Sequence, residues 1–310
     1  MQSLRSPYRK TTKTVKKKMT ISEKFQTFCE NLRMSKIVVN DVSSRYKRIT
    51  KQLNYDYYGS NSETLNSLYV GSYGRGTAIH VSDIDILFIL PYHVYNQYNS
   101  YAVNGQSALL QAVKKSICKT YSTSYLGADG QVIKLDFSDR ICFEIVPCFT
   151  NTDGSFTFPD SNNGGSWKTT NPKLEIAELT TANNNWNKNL KRLCRMARAW
   201  KDKKNVSIGG LLIDTLVYNF LKTWAYRDKS FTYYDWMTRD FFQYLMNQTS
   251  TQEYWLAPGS NQYVKRKGNF EYTARTCYNL ALEAIEYETK NQEWSANQKW
   301  REIYGTKFPN

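Results

Sequence analysis

Between Leu68 and Pro91 the chain reads Leu-Tyr-Val-Gly-Ser-Tyr-Gly-Arg-Gly-Thr-Ala-Ile-His-Val-Ser-Asp-Ile-Asp-Ile-Leu-Phe-Ile-Leu-Pro, and no other stretch narrows the fold so far. Gly71, Ser72, Gly74 and Gly76 predict a turn in which bare backbone N–H groups and one hydroxyl can approach an anion, as cradling a phosphate requires. The run from Asp83 to Leu90 predicts a strand. Side chains alternate along a strand, so Asp83 and Asp85 share one face of an otherwise apolar segment. Two carboxylates side by side on a buried strand repel each other and lose hydration, and something positive must offset that cost. A hard divalent cation shared with substrate phosphates meets the need, with the glycine turn beside it holding those phosphates. The spacing also excludes other phosphate-binding devices. Gly-x-x-Gly-x-Gly is not the dinucleotide fingerprint, and without Gly-Lys-Ser/Thr it is not a P-loop.

A second acid-bearing strand follows. Gln131 to Phe137 and Ile141 to Phe149 both alternate, with Asp139 in the turn between them, and Cys142, Glu144 and Val146 share a face. Before the glycine turn, apolar residues at helical spacing predict helices from Ile21 to about Met34 (Phe25, Phe28, Cys29, Leu32) and from Ile37 to about Tyr58 (Val38, Val42, Ile49, Leu53). Ser107 to Tyr121 predicts a further helix. From Asn151 to Asn171 the sequence turns to Asn, Gly, Ser, Thr and Asp, which predicts a long loop. Asn183 to Asn185 can cap a helix running from Asn187 to Lys203. On that helix Leu190, Leu193, Cys194, Ala197 and Trp200 make one face, while Lys188, Lys191, Arg192, Arg195 and Arg198 gather on the other. Five cations without an acid are either a solvated face or a phosphate clamp. Leu211 to Trp224 predicts an apolar core helix, and Phe270 to Lys290 another.

Charge and cysteine usage bound the partners. The net charge of +15 favours polyanions, but seven of those charges (Arg5, Arg9, Lys10, Lys13, Lys16, Lys17, Lys18) fall in residues 1–18, leaving 15 − 7 = 8 for the body. That basic tail is expected to be disordered. No apolar run reaches the roughly 18 residues of a membrane span, and the N-terminus lacks the apolar stretch of a signal peptide, so a cytoplasmic protein without membrane contact is expected. The six cysteines form no C-x-x-C pair and read as buried free thiols; with only two histidines, His80 and His93, no structural zinc is expected.

With Gly71-Ser72, a short spacer and Asp83-x-Asp85 on a strand, the sequence resembles the nucleotidyltransferase superfamily. That superfamily places a third carboxylate on a neighbouring strand, where Glu144 stands and many relatives carry Asp. Trp167-Lys-Thr-Thr-Asn-Pro172, Arg195-Met-Ala-Arg-Ala-Trp200, Tyr254-Trp-Leu-Ala-Pro-Gly-Ser260 and the closing Trp300-Arg…Gly305…Phe308-Pro309 narrow the resemblance. They are similar to the bacterial CD-NTase or SMODS group, related to cyclic GMP-AMP synthase and oligoadenylate synthase. The resemblance runs from about Met19 to the end and leaves out the basic tail.

What the resemblance implies is an α/β, polymerase-beta-like mixed-sheet core with the N-terminal helices (19–175), a mainly helical C-terminal lobe (176–310), and a site in the cleft between them. Asp83, Asp85 and Glu144 would be the catalytic metal ligands for two Mg²⁺ ions, with Mn²⁺ as a substitute. Gly71 and Ser72 would hold the donor's phosphates, and Arg198 would reach the donor triphosphate from the other lobe. The implied reaction joins nucleoside triphosphates, ATP with GTP, into a cyclic dinucleotide second messenger with release of pyrophosphate, in bacterial anti-phage (CBASS) signalling. An RNA or phage-derived activator and a downstream effector sensing the cyclic nucleotide would be its partners. Two enzyme alternatives stay open: a cyclase making a cyclic trinucleotide, and a template-independent RNA nucleotidyltransferase resembling poly(A) polymerase, which the basic tail and helix would suit. A catalytically idle nucleic-acid-binding module is the third, and the presence of all three acids argues against it. Some members of the group are joined to other proteins through a C-terminal glycine; this sequence ends Phe-Pro-Asn, so that control is not expected.

Overall fold

A computed structural model describes residues 18–80 and 83–310; the expected basic tail lies, except for Lys18, outside the described residues. Thr20 opens the first helix, α1 (Ile21–Asn31), with a capping box: its hydroxyl accepts from the Glu23 amide while the Glu23 carboxylate accepts from the Thr20 amide. Ser35 caps α2 (Lys36–Tyr58), which stops at Gly59 in the left-handed region, φ 63°. Strand β1 (Ser67–Tyr69), the short helical turn α3 (Gly71–Gly74) and strand β2 (Ile84–Ile89) carry the glycine and aspartate motif. Helices α4 (Tyr92–Asn99) and α5 (Gly105–Cys118) lead to strands β3 (Tyr125–Asp129), β4 (Val132–Asp136) and β5 (Cys142–Thr150).

The strands form a mixed sheet in the order β1-β2-β5-β4-β3, in which β2 and β5 run parallel and the other pairs antiparallel. One face is closed by α2 and α5. Ile84, Ile86 and Phe88 of β2 and Phe143 and Ile145 of β5 bury themselves there against Val42, Ile49, Leu109 and Val113. The alternate residues, Asp85 on β2 with Cys142 and Glu144 on β5, point to the opposite face, as period-two alternation requires.

The stretch from Asn151 to Asn171, expected as a loop, instead folds into a hairpin, β6 (Phe156–Asp160) and β7 (Ser166–Thr170), that extends β5. Its polar residues make the turns: Asn151 and Asp153 bond Ser155, and Asp160 accepts from the Asn162 amide. Helix α6 (Pro172–Asn185) starts on a proline at its first position, and the asparagines expected to cap the next helix form its end. Asn183 still caps, from a distance: its side-chain oxygen accepts the Lys191 amide in the first turn of α7 (Asn189–Lys204). Then come α8 (Gly210–Thr223), α9 (Tyr234–Met246), the small hairpin β8 (Tyr254–Leu256) with β9 (Tyr263–Lys265), α10 (Glu271–Thr289) and α11 (Glu293–Tyr304). These helices share one large apolar cluster, which α1 joins: Phe25 and Phe28 are fully buried against Trp300, Tyr304 and Phe308. All six cysteines are free thiols, with Cys118 exposed. Among the described residues no helix is long and apolar enough to cross a membrane.

Candidate active site

The glycine turn and the aspartate strand are pressed together. The Val70 amide donates to the Asp85 carbonyl at 2.9 Å, and the Ser72 carbonyl accepts the amides of Thr77 and Ala78, so the turn folds back over the start of β2. Gly71 sits at φ +58°, and a Cβ there would lie 1.7 Å from Asp85 Oδ2. Only glycine satisfies both the backbone conformation and that approach. Behind the turn, a Cβ on Gly74 would strike the Tyr69 carbonyl at 2.4 Å.

Strand register sets the acids. Asp85 on β2 is the direct partner of Glu144 on β5, and Glu144 is the partner of Lys134 on β4, giving a row of acid, acid and cation across three strands. Lys134 Nζ lies 3.2 Å from Glu144 Oε1. Asp83 stands one residue before β2 and is exposed. Burial, then the Glu144 and Asp83 charges, push the Asp85 carboxyl up to about 6, against the pull of Arg75. A carboxylate so disfavoured is chemically matched to a hard cation that would take it over from the proton. As they stand, no three His, Cys, Asp or Glu side chains among the described residues are grouped closely enough to hold a metal ion. The pair Asp85 and Glu144 is assembled by the sheet, and Asp83 adjoins it in sequence.

Beside the acids lies a cavity of about 290 Å³, lined from the sheet side by Ser72, His80 and Asp83 and from the helical side by Arg198, Lys201 and Gly210. Arg198 therefore borders the space that the sequence assigns to a donor, but its guanidinium is bound: Nη1 donates to Asp214 Oδ1 at 2.6 Å and Nη2 to Asp214 Oδ2 at 2.9 Å. Asp214 is fully buried and also accepts from Arg75 Nε at 2.8 Å and the Thr77 hydroxyl at 2.9 Å. Burial alone would raise its carboxyl; Arg198 and Arg75 instead hold it down at about 2. Glu175 of α6 completes the group, 3.6 Å from Arg75. Two arginines and two carboxylates thus balance in the interior, tying the residues just after the glycine turn to α6, α7 and α8. Across the cavity mouth His80 Nε2 meets Asp202 Oδ2 at 2.8 Å.

Arg75, Asp214, Glu175 and Lys201 were not singled out from the sequence. Asp214 had a legible signal, since a lone acid within the apolar run Leu211 to Trp224 requires a buried cation. Which cation, 139 positions away, is decided by the fold.

Residues 19–183, more than half of the chain, match the Second Messenger Oligonucleotide or Dinucleotide Synthetase (SMODS) domain. The chain belongs to the SMODS family. A probable cyclic nucleotide synthase of Bacillus cereus (strain VD146) is 24% identical to this SMODS chain over 178 residues, 54% of the chain; the chain spans about half (51%) of that relative's length. CdnC of E. coli MS115-1, solved with ATP, superposes with a TM-score of 0.63 at 15% identity, covering 92% of this chain and 99% of its own. CdnG of Bradyrhizobium diazoefficiens, a CD-NTase in complex with GTP, gives 0.64 at 10% identity, covering 92% and 95%. At such identities the two structures speak to the fold alone: the SMODS chain has the polymerase-beta-like nucleotidyltransferase architecture from the sheet through the C-terminal helices.

Proposed function

We propose that the protein joins nucleoside triphosphates, ATP with GTP, into a cyclic dinucleotide second messenger and releases pyrophosphate, in a metal-dependent reaction that serves bacterial anti-phage signalling. The observation that carries this reading is the contact between Gly71 and Asp85. Turn and carboxylate are so close that no side chain fits between them, and a donor phosphate held at the turn lies beside the acids. Gly71 and Ser72 would hold the donor's phosphates, with Arg198 bordering the same cavity from α7. Asp83, Asp85 and Glu144 would hold two Mg²⁺ ions, or Mn²⁺ in their place. A metal held by these carboxylates would supply Lewis acidity to lower the pKa of an attacking ribose hydroxyl and positive charge for the departing pyrophosphate. The protein's own share is positioning. Lys134 fixes Glu144, the sheet register fixes Asp85 against it, and the buried Arg75–Asp214–Arg198 group fixes the turn against the helical lobe, so that acceptor and donor can meet in line.

The relatives support the same reading, since one is a probable cyclic nucleotide synthase and the two structural neighbours were solved with ATP and with GTP. An RNA or phage product as activator, and an effector that senses the cyclic product, complete it. The test is incubation of the protein with Mg²⁺ and labelled ATP, GTP, CTP and UTP, followed by phosphatase and separation of what survives. A resistant species of dinucleotide mass is expected, lost by about a hundredfold or more in Asp83→Ala and Asp85→Ala. A resistant trinucleotide would replace the ring size, a ladder of RNA-dependent products would replace the cyclase by a chain-extending enzyme, and full activity in either variant would remove the acids from the site.

A further inference from the structure

The five cations that make the basic face of α7 each bond to another group of the protein, Lys188 at the surface and Arg198 in the interior. Lys188 reaches Asn184, Lys191 reaches the Thr180 hydroxyl at 3.2 Å, and Arg192 donates to the Asn187 carbonyl at 2.9 Å while stacking on Phe231. Arg195 donates to the Gly76 carbonyl at 2.8 Å. Arg198 is the most constrained. Its Nη1 serves the Cys194 carbonyl and Asp214 Oδ1, and its Nη2 serves the Gly210 carbonyl and Asp214 Oδ2. Those four bonds use the four N–H groups on the two terminal nitrogens, and only Nε–H is left. A bidentate grip on a phosphate by Arg198 would strand Asp214 in the interior with one arginine fewer, which a fully buried carboxylate resists strongly.

One turn further along α7, Lys201 lines the same cavity as Ser72 and Asp83. Its ammonium makes no ion pair among the described residues, and the neighbouring Asp202 is taken by His80. A lysine ammonium on a flexible stem presents three donors and can follow a phosphate chain, as a locked guanidinium cannot. We propose that Lys201 makes the direct ionic contact to the phosphates of the donor triphosphate, while Arg198 is a positioning residue that holds the Gly210 wall and, through Asp214, the glycine turn. This rests on the donor-binding reading above.

The experiment measures binding of α,β-methylene-ATP, α,β-methylene-GTP, AMP and GMP to the full chain by calorimetry in Mg²⁺ at two salt concentrations. Lys201→Ala is expected to weaken the triphosphate analogues roughly 10- to 100-fold, to change the monophosphates less than about twofold, and to flatten the salt dependence of triphosphate binding. Lys201→Arg should restore most of the loss. Arg198→Gln should weaken binding yet keep the wild-type salt dependence, because the contacting charge is still present. Unfolding midpoints should be unchanged in Lys201→Ala, whose side chain has no ion pair to lose. Unchanged triphosphate affinity in Lys201→Ala, or a flattened salt dependence in Arg198→Gln alone, overturns the assignment while leaving the donor site standing. Failure of the wild-type protein to bind either triphosphate analogue overturns both the assignment and the reading on which it rests.

Discussion

Asp85 concentrates the site's chemistry in one carboxyl. It is half-buried, set against Glu144 by register and against the bare Cα of Gly71 by contact, and its carboxyl is displaced from 3.8 to about 6. The folded chain holds this proton more tightly than the unfolded one. Stability of the metal-free fold therefore falls as pH rises from about 4 through 6, by an increment on the order of 2–3 kcal/mol. Asp85→Asn removes the charge and keeps the shape. In EDTA the variant should exceed wild type by about 2–3 kcal/mol at pH 8, with the gap closing toward pH 4, as urea denaturation at the two pH values would show. A variant no more stable at pH 8 would mean that the carboxylate is not under pressure. This residue was legible early, because Asp-x-Asp on an apolar strand states its own electrostatic problem. What alternation could not show is that Arg75 relieves part of it, since Arg75 stands in the turn and owes its burial to α6 and α8.

At the scale of elements the sheet was the readable part and the connections were not. Strand β4 and the first half of β5 alternate cleanly because one face is packed by helices, whereas Leu87 of β2 and Cys148 of β5 are buried on the other face against Phe156. The hairpin β6–β7 hid in polar composition, since its turns are built from side-chain hydrogen bonds and Phe156 is its one fully buried aromatic side chain. Helix α6 hid because three of the five residues it buries are Pro172, Glu175 and Asn183, so no apolar stripe marks it. The cations of α7 bond to the preceding helix, the glycine turn and α8, partners that periodicity cannot supply. The row Asp85–Glu144–Lys134 is the element-scale counterpart of the acid pair, and it predicts a graded response. Glu144→Asp shortens the arm by one methylene on the same strand and should keep product formation within about tenfold of wild type. Glu144→Ala, with Lys134 still in place beside it, should lose about a hundredfold or more, and calorimetric Mn²⁺ titration should weaken in parallel. Equal activity in the alanine variant would take Glu144 out of the site.

Over the whole molecule, the two larger apolar clusters meet at a charged seam: one holds the sheet with α2 and α5, the other holds α6 to α11 with α1. The placement of α1 is the least expected feature of the architecture. It precedes the sheet in sequence yet is sealed into the helical cluster, where Phe25 packs edge-on against Trp300 and Phe308 at 5.2 Å and Lys24 is held by Glu293 and Asn297. Phe25→Ala should cost about 3–5 kcal/mol, with near-ultraviolet dichroism and urea midpoints reporting the loss, although Phe25 touches nothing in the cleft. A cost under 1 kcal/mol would mean that α1 is only laid against the lobe.

The same strap bears on how the chain comes off the ribosome. Asn31 closes a hydrogen bond with Lys307 across 276 positions of sequence. While the sheet and its two helices can assemble from a single contiguous stretch, α1 precedes them and its phenylalanines stay uncovered until Trp300, Tyr304 and Phe308 have followed. Long-range closure of this kind is slow and leaves an apolar surface open to other molecules in the meantime. The helical half of the cavity beside the acids is therefore finished late, after the glycine turn and the carboxylates are already in place.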